Sequence, residues 1–128
     1  MLRDDAWPIA MKVGADAASK PHLQGKTMSY ADVEMKIIQW SEARKIIPNS
    51  TPDTQLLKAM SELGELADAT IKKDKAGIID GVGDVMVCLV NYCALQDINL
   101  VTCIEKAYAE IKHRKGTLMP NGVFVKES

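Results

Sequence analysis

Glu62 and Glu65 stand three residues apart, and Asp80 and Asp84 stand four apart further along the chain. Spacings of three and four put two side chains on one face of an α-helix. Asn91 follows Asp84 by seven residues and falls on the same face as both aspartates. The stretch that holds them, Ala76 to Leu95, reads AGIIDGVGDVMVCLVNYCAL and is otherwise apolar or small. A helix that is apolar nearly all round is a buried helix. Carboxylates inside a bundle are costly unless a cation or a partner meets them. An ion-pair network with Lys or Arg of neighbouring helices would meet them, and Glu-x-x-Glu alone also suits a solvated face. If the two helices are neighbours, four acids face one another and repel unless divalent cations lie between them. Oxygen-only donors select hard ions, so magnesium is favoured, with manganese possible, over zinc. A ferritin-like di-iron site would need Glu-x-x-His pairs, which neither motif contains.

The elements that must position these acids are legible in order. Residues 1–27 carry Trp7-Pro8 and Lys20-Pro21 and show no sustained periodicity, which predicts an irregular arm. Residues 28–128 form the domain proper. Ser29 suits the N-cap of a helix running to about Ile46, with Val33, Ile37, Trp40 and Arg44 along one side. Thr51-Pro52-Asp53 opens a second helix to about Lys72: a hydroxyl cap, proline in the first turn, then an acid. Leu56, Met60, Leu63, Ala67 and Ile71 form its apolar stripe, with Glu62 and Glu65 lying away from it. A short loop at Asp74 folds the Ala76–Leu95 helix back antiparallel. Asp97 or Asn99 can cap a last helix from Leu100 to Lys115, with Ile104, Ala107, Tyr108 and Ile111 inward and Gly116 as its stop. Beyond it, Pro120-Asn121-Gly122 suits the turn of a small hairpin. The expected fold is an all-α antiparallel bundle of about four helices with a short C-terminal β-hairpin.

Gly64, Gly81 and Gly83 sit inside predicted helices, where each costs about 1 kcal/mol against alanine. They mark either close helix packing or backbone room for a phosphate chain.

The 128-residue length fits one domain. Net charge is -1 and aromatics are 5%, which offers no basic field or stacking platform for nucleic acid. Asp80 and Asp84 leave Val85–Gln96 as the longest uncharged run of the apolar stretch, too short to span a bilayer. The three cysteines, Cys88, Cys93 and Cys103, have no zinc-like spacing and read as small buried hydrophobes of a reducing compartment. Residues 1–26 contain no unbroken apolar core of the signal-peptide kind, so a cytoplasmic protein is expected.

SELGELADA, then IIDGVGDVMVCLVN, then AYAEIKHRKG together resemble the MazG-like all-α nucleoside triphosphate pyrophosphohydrolases over about Tyr30 to Lys126. That superfamily includes dimeric dUTPases and dCTP pyrophosphatases. The resemblance implies hydrolysis of the α–β bond of an NTP or dNTP, with magnesium held by Glu-x-x-Glu and Glu-x-x-Asp motifs. Glu62 and Glu65 match the first motif and Asp84 the last acid of the second. The remaining acid would fall at Gly81, and Asp80 is the available substitute. The resemblance makes Glu62 or Glu65 the candidate general base. Asn91 matches a polar position turned towards the nucleotide, and a satisfied core amide is its plain structural alternative. Trp40 matches an aromatic position and is a candidate for base stacking, against ordinary core. Lys58, Lys112, Arg114 and Lys115 are candidates for phosphate contact, though the last three also suit a helix C-terminus. His22 and His113 read as surface residues.

The near-absence of a polar face on the Ala76–Leu95 helix predicts a homodimer or homotetramer. Two alternatives remain: a narrow dUTPase-like or dCTPase-like enzyme, and a non-catalytic helical assembly module with its acids ion-paired.

Overall fold

The computed structural model describes residues 27–127. The arm read at residues 1–27, and His22 with it, lies outside them except for Thr27. Four helices and a hairpin follow in order: α1 Tyr30–Ala43, α2 Pro52–Ile71, α3 Lys75–Ala94, α4 Leu100–Ile111, β1 Gly116–Leu118 and β2 Phe124–Lys126. The all-α reading with a terminal hairpin is what the chain adopts.

Side-chain caps start the helices. Ser29 accepts from the Asp32 amide at 3.1 Å, and Asp32 accepts from the Ser29 amide at 3.3 Å. This reciprocal pair ties down two amides that the first turn leaves without partners. Thr51 accepts from the Thr54 amide at 3.1 Å and Asp74 from the Gly77 amide at 3.1 Å. The α1 helix stops at Ala43 rather than near Ile46, because Lys45 turns to φ 65° and the Ser41 carbonyl instead accepts the Ile46 and Ile47 amides. The α4 helix stops at Ile111 rather than Lys115, and Gly116 opens β1 opposite Lys126. A Cβ at Gly116 would collide with the Val125 carbonyl and the Phe124 ring, so only glycine fits that register. Gly122 turns the hairpin at φ 88°, with the Asn121 side chain accepting the Val123 amide at 3.0 Å.

The hub is α3. It is long and apolar enough to cross a membrane by length and composition alone. Here α1, α2 and α4 all pack on it, α2 most extensively. Cys88, Val90 and Cys93 of α3, with Ala59 and Ala69 of α2, are the buried apolar residues among those described.

Two expected faces are corrected. The α2 stripe of Leu56, Met60, Leu63 and Ile71 points outward, with Met60 63% exposed. The face that α2 turns to α3 carries Gln55, Ala59, Leu66 and Ala69 instead. The two alanines on α2, and Gly81 of α3 opposite Leu66, let the helices approach. No α4 residue is fully buried, and Ile104, Tyr108 and Ile111 are exposed. On α1 the buried positions are Glu34 and Ser41, both polar, while Trp40 is half exposed under the Arg44 guanidinium at 5.4 Å. Cys103 is exposed, unlike Cys88 and Cys93, and all three are free thiols.

Asn99 occupies the N-cap of α4 without a side-chain bond. Glu34 does that work from α1: its carboxylate, 5% exposed, accepts the amides of both Leu100 and Val101. A carboxylate at a helix N-terminus satisfies two orphan amides and meets the positive end of the dipole. Glu34→Ala should therefore lower unfolding free energy by about 2 kcal/mol, with Glu34→Gln losing less, as urea denaturation would show. Equal stability of Glu34→Ala and the intact chain would contradict this account of α4.

Candidate active site

The turn at Lys72–Asp74 folds α3 back along α2, with Lys73 at φ 57° and its amide bonded to the Thr70 carbonyl. Antiparallel packing sets the acid pair of each helix across from the other. Glu62, Glu65, Asp80 and Asp84 all line one open concavity of about 240 Å³, together with Asp68, Lys72, Asp74 and Gly81.

Gly81 sets the width of this cleft. It is buried, and a Cβ there would lie 3.0 Å from the Leu66 Cβ. The α2–α3 approach at this point is therefore as close as backbones with one missing side chain permit. Gly64 and Gly83 face open space, and an added Cβ at either would touch nothing. Of the two roles open to these glycines, close packing holds for Gly81; the other two leave room.

Electrostatics mark Glu62. Partial burial pushes its carboxyl above the ordinary 4.5, the negative charges of Glu65 and Asp84 push it further, Lys58 opposes, and a hydrogen bond with Glu65 adds to the rise. Glu62, Glu65 and Asp84 are thus one electrostatic unit across two helices. The Cys88 thiol lies beneath it: burial raises its pKa, Lys58 lowers it, and Glu62 and Asp84 raise it. Lys72 pairs with Asp68 at 2.9 Å at the cleft edge, both side chains well exposed.

Other sequence candidates do not line this cleft. Lys58, one turn before Glu62, is near enough for its charge to oppose the rise at Glu62 but is not among the lining residues. Arg114 and Lys115 line a separate shallow concavity with Glu110, His113, Lys126 and Glu127. Lys112, which caps the end of α4, and Trp40 line neither concavity. Asn91 is 3% exposed and bonded within the core. Asp68, Lys72 and Asp74 are cleft residues that the motif reading passed over. Their signal was present, since Glu65, Asp68 and Lys72 continue one α2 face at helical spacing.

The sequence profile of the MazG nucleotide pyrophosphohydrolase domain matches residues 50–119. These residues contain α2, α3, α4 and every acid of the cleft. The chain belongs to the MazG nucleotide pyrophosphohydrolase family. A curated relative, an uncharacterized 18.2 kDa protein in the rep-hol intergenic region of Haemophilus phage HP1 (strain HP1c1), is 41% identical over 54 residues. That stretch is 42% of this chain and 33% of the phage protein. No solved structure gives a significant match.

Family members act on nucleotides with a divalent cation, and the donor chemistry here agrees: oxygen-only, acidic and open to solvent. Among the described residues, no three His, Cys, Asp or Glu side chains close on one point to hold an ion. The acids of this MazG domain share a cleft and would have to draw inward around a cation. Glu65 and Asp84 are exposed at the cleft, so solvent and ions reach them.

Without a cation, Glu62 makes the fold weaker at neutral pH. Its folded pKa lies above its unfolded value, so its stabilising contribution is complete below the ordinary 4.5 and is lost as pH rises through the raised folded value. Glu62→Gln should be more stable than the intact protein at neutral pH in chelator and low salt, and should lose that advantage in acid. Denaturant curves at the two pH values check this; the same difference at both would contradict the repulsion.

Proposed function

We propose that this MazG domain hydrolyses nucleoside triphosphates, NTP or dNTP, at the α–β bond, releasing a nucleoside monophosphate and pyrophosphate with magnesium as the preferred cation. The observation that carries the reading is the convergence of Glu62, Glu65, Asp80 and Asp84 on one cleft, with Glu62 held above its ordinary pKa. Those four acids would hold the cation, which neutralises phosphate charge and favours ionisation of water when bound. Glu62 suits the general base, because a raised carboxyl pKa brings proton affinity closer to that needed at neutral pH. Glu65 is hydrogen-bonded beside it. Lys58, one turn before Glu62, can meet the outer phosphates from the same face. Water attack at phosphorus α expels pyrophosphate, whose charge the lysine stabilises as the bond opens. A non-catalytic assembly module would share the fold but would turn nothing over.

The reading includes a second copy. On α2, Leu56, Met60 and Leu63 are exposed on the side away from the acids, and Val82 of α3 is exposed with Ile78, Val85 and Leu89 half-buried along one face. Antiparallel packing puts these two stripes on one side of the hairpin. Such a contiguous apolar face on a soluble domain marks an interaction site, and a symmetric dimer buries it against itself.

Turnover in oxygen-18 water should label the monophosphate and leave pyrophosphate unlabelled, with activity abolished by chelator and restored by magnesium. Glu62→Gln should slow it by roughly a hundredfold or more. Label in pyrophosphate would move the attack to phosphorus β, and no turnover across a panel of NTPs and dNTPs would end the enzyme reading.

Light scattering should find a dimer or tetramer, and Met60→Glu should give a folded monomer. A compact monomer of the intact chain at micromolar concentration would refute the apolar face as an interface.

A further inference from the structure

A chain of buried polar groups crosses the bundle at the end of the α2–α3 pair where α2 begins. The Ser41 hydroxyl, at the end of α1 and fully buried, donates to the Asn91 side-chain oxygen at 2.6 Å. The Asn91 amide nitrogen donates to the Gln55 oxygen at 3.4 Å, and the Gln55 nitrogen donates to the Ser50 hydroxyl at 3.0 Å. Asn91 and Gln55 are 3% and 6% exposed. Each amide donates at its nitrogen and accepts at its oxygen, so the chain runs in one sense and neither amide can turn over without losing a bond.

At the opposite end the Lys72–Asp74 turn joins the helices, with the Asp74 amide donating to the Ala69 carbonyl at 2.9 Å and the Asp74 side chain accepting from the Gly77 amide at 3.1 Å. The contact between the two ends is of another kind. Ala59, Ala69, Cys88 and the Gly81–Leu66 approach are small and apolar. Contacts of that kind are non-directional and set distance better than they set axial position. The turn holds one end, and a shift of α3 at the other end would strand a buried amide without its partner. A single buried polar pair is the best-attested way to hold one register against others. Gln55 lies two turns before Glu62 on α2, and Asn91 lies two turns after Asp84 on α3. The pair therefore locks the same two faces that carry the acids.

We infer that Asn91 is a positioning residue: through Gln55 it holds α3 in register against α2 at the end opposite the Lys72–Asp74 turn, and with that turn it fixes the facing of Glu62 and Glu65 to Asp80 and Asp84. This rests on the cation-dependent reading of the cleft. Ser41 holds Asn91 from the other side but is not part of the α2–α3 lock.

The test is a manganese titration of the full chain, read by the electron paramagnetic resonance of free manganese, with circular dichroism on each variant. Asn91→Leu and Gln55→Met should keep their helical spectra and bind manganese at least about tenfold more weakly, the scale seen when groups behind a metal site are removed. Ser41→Ala loses a buried hydrogen bond, so it should melt lower yet bind manganese as the intact chain does. Should Asn91→Leu fail to fold, Gln55→Met carries the comparison. Intact-like affinity in either folded lock variant overturns the inference, and so does an equal loss in Ser41→Ala, which would mean general loosening. A raised KM with unchanged manganese affinity in Asn91→Leu would make Asn91 a substrate contact instead. If the intact chain binds no manganese, the proposed function falls, and the positioning role falls with it.

Discussion

The α2–α3 hairpin brings two acid-bearing helix faces together, with no side chain on α3 at position 81. Gly81 against Leu66 sets that approach, and a Cβ already would meet Leu66 at 3.0 Å. Close approach has an electrostatic consequence. Glu62 feels Glu65 on its own helix and Asp84 on the next, and its carboxyl is pushed up. Packing and repulsion therefore oppose each other at one place. Sites that hold charge in this way are weak points of a metal-free fold and strong points of a metal-bound one, since a ligand that binds only the folded state stabilises it by mass action. The MazG domain carries its acids beside the close Gly81–Leu66 approach, so the cost of assembling them is met by the fold itself.

The same narrow contact explains where the apolar surface goes. With α2 presenting Gln55, Ala59, Leu66 and Ala69 to α3, its Leu56, Met60 and Leu63 are left exposed. The α4 helix repeats the pattern, with Ile104, Tyr108 and Ile111 exposed. A core whose buried apolar members among the described residues are two alanines, two cysteines and a valine is thin for a chain of this length. The apolar faces left over are the surplus that association would bury. Acid face and apolar face lie on opposite sides of the hairpin, so a partner on the second leaves the cleft open on the first.

Local signals were legible and orientation was not. Caps at Ser29 and Thr51 and the turn residues at 120–122 fixed element order, because each acts through neighbours three or four residues away. Pairing of Glu62 with Glu65 and of Asp80 with Asp84 was legible for the same reason. The α2 stripe misled because periodicity shows that a face seeks burial without saying whether the chain itself or another supplies the cover. Glu34 was silent in sequence: its bonds reach Leu100 and Val101 across 66 and 67 residues, and nothing near position 34 announces them. Asn91 could be read as either nucleotide contact or core amide, and its burial with bonds to Ser41 and Gln55 gives it a place in the core.

Gly81 is also where the chain departs from the Glu-x-x-Asp pattern, and packing supplies a reason. Position 81 points at Leu66, so a glutamate there would need α2 to withdraw. Moving the acid back by one residue, to Asp80, turns it about 100° around α3 and takes it out of that contact. It also changes the spacing to Asp84 from three residues to four, and both spacings put a pair on one helix face. Asp80 is accordingly half-buried at the wall of the same concavity as Asp84. A Cβ at 81 would already meet Leu66 at 3.0 Å, so glutamate restored there would push the helices apart, whereas Asp80 reaches the cleft without crossing that contact.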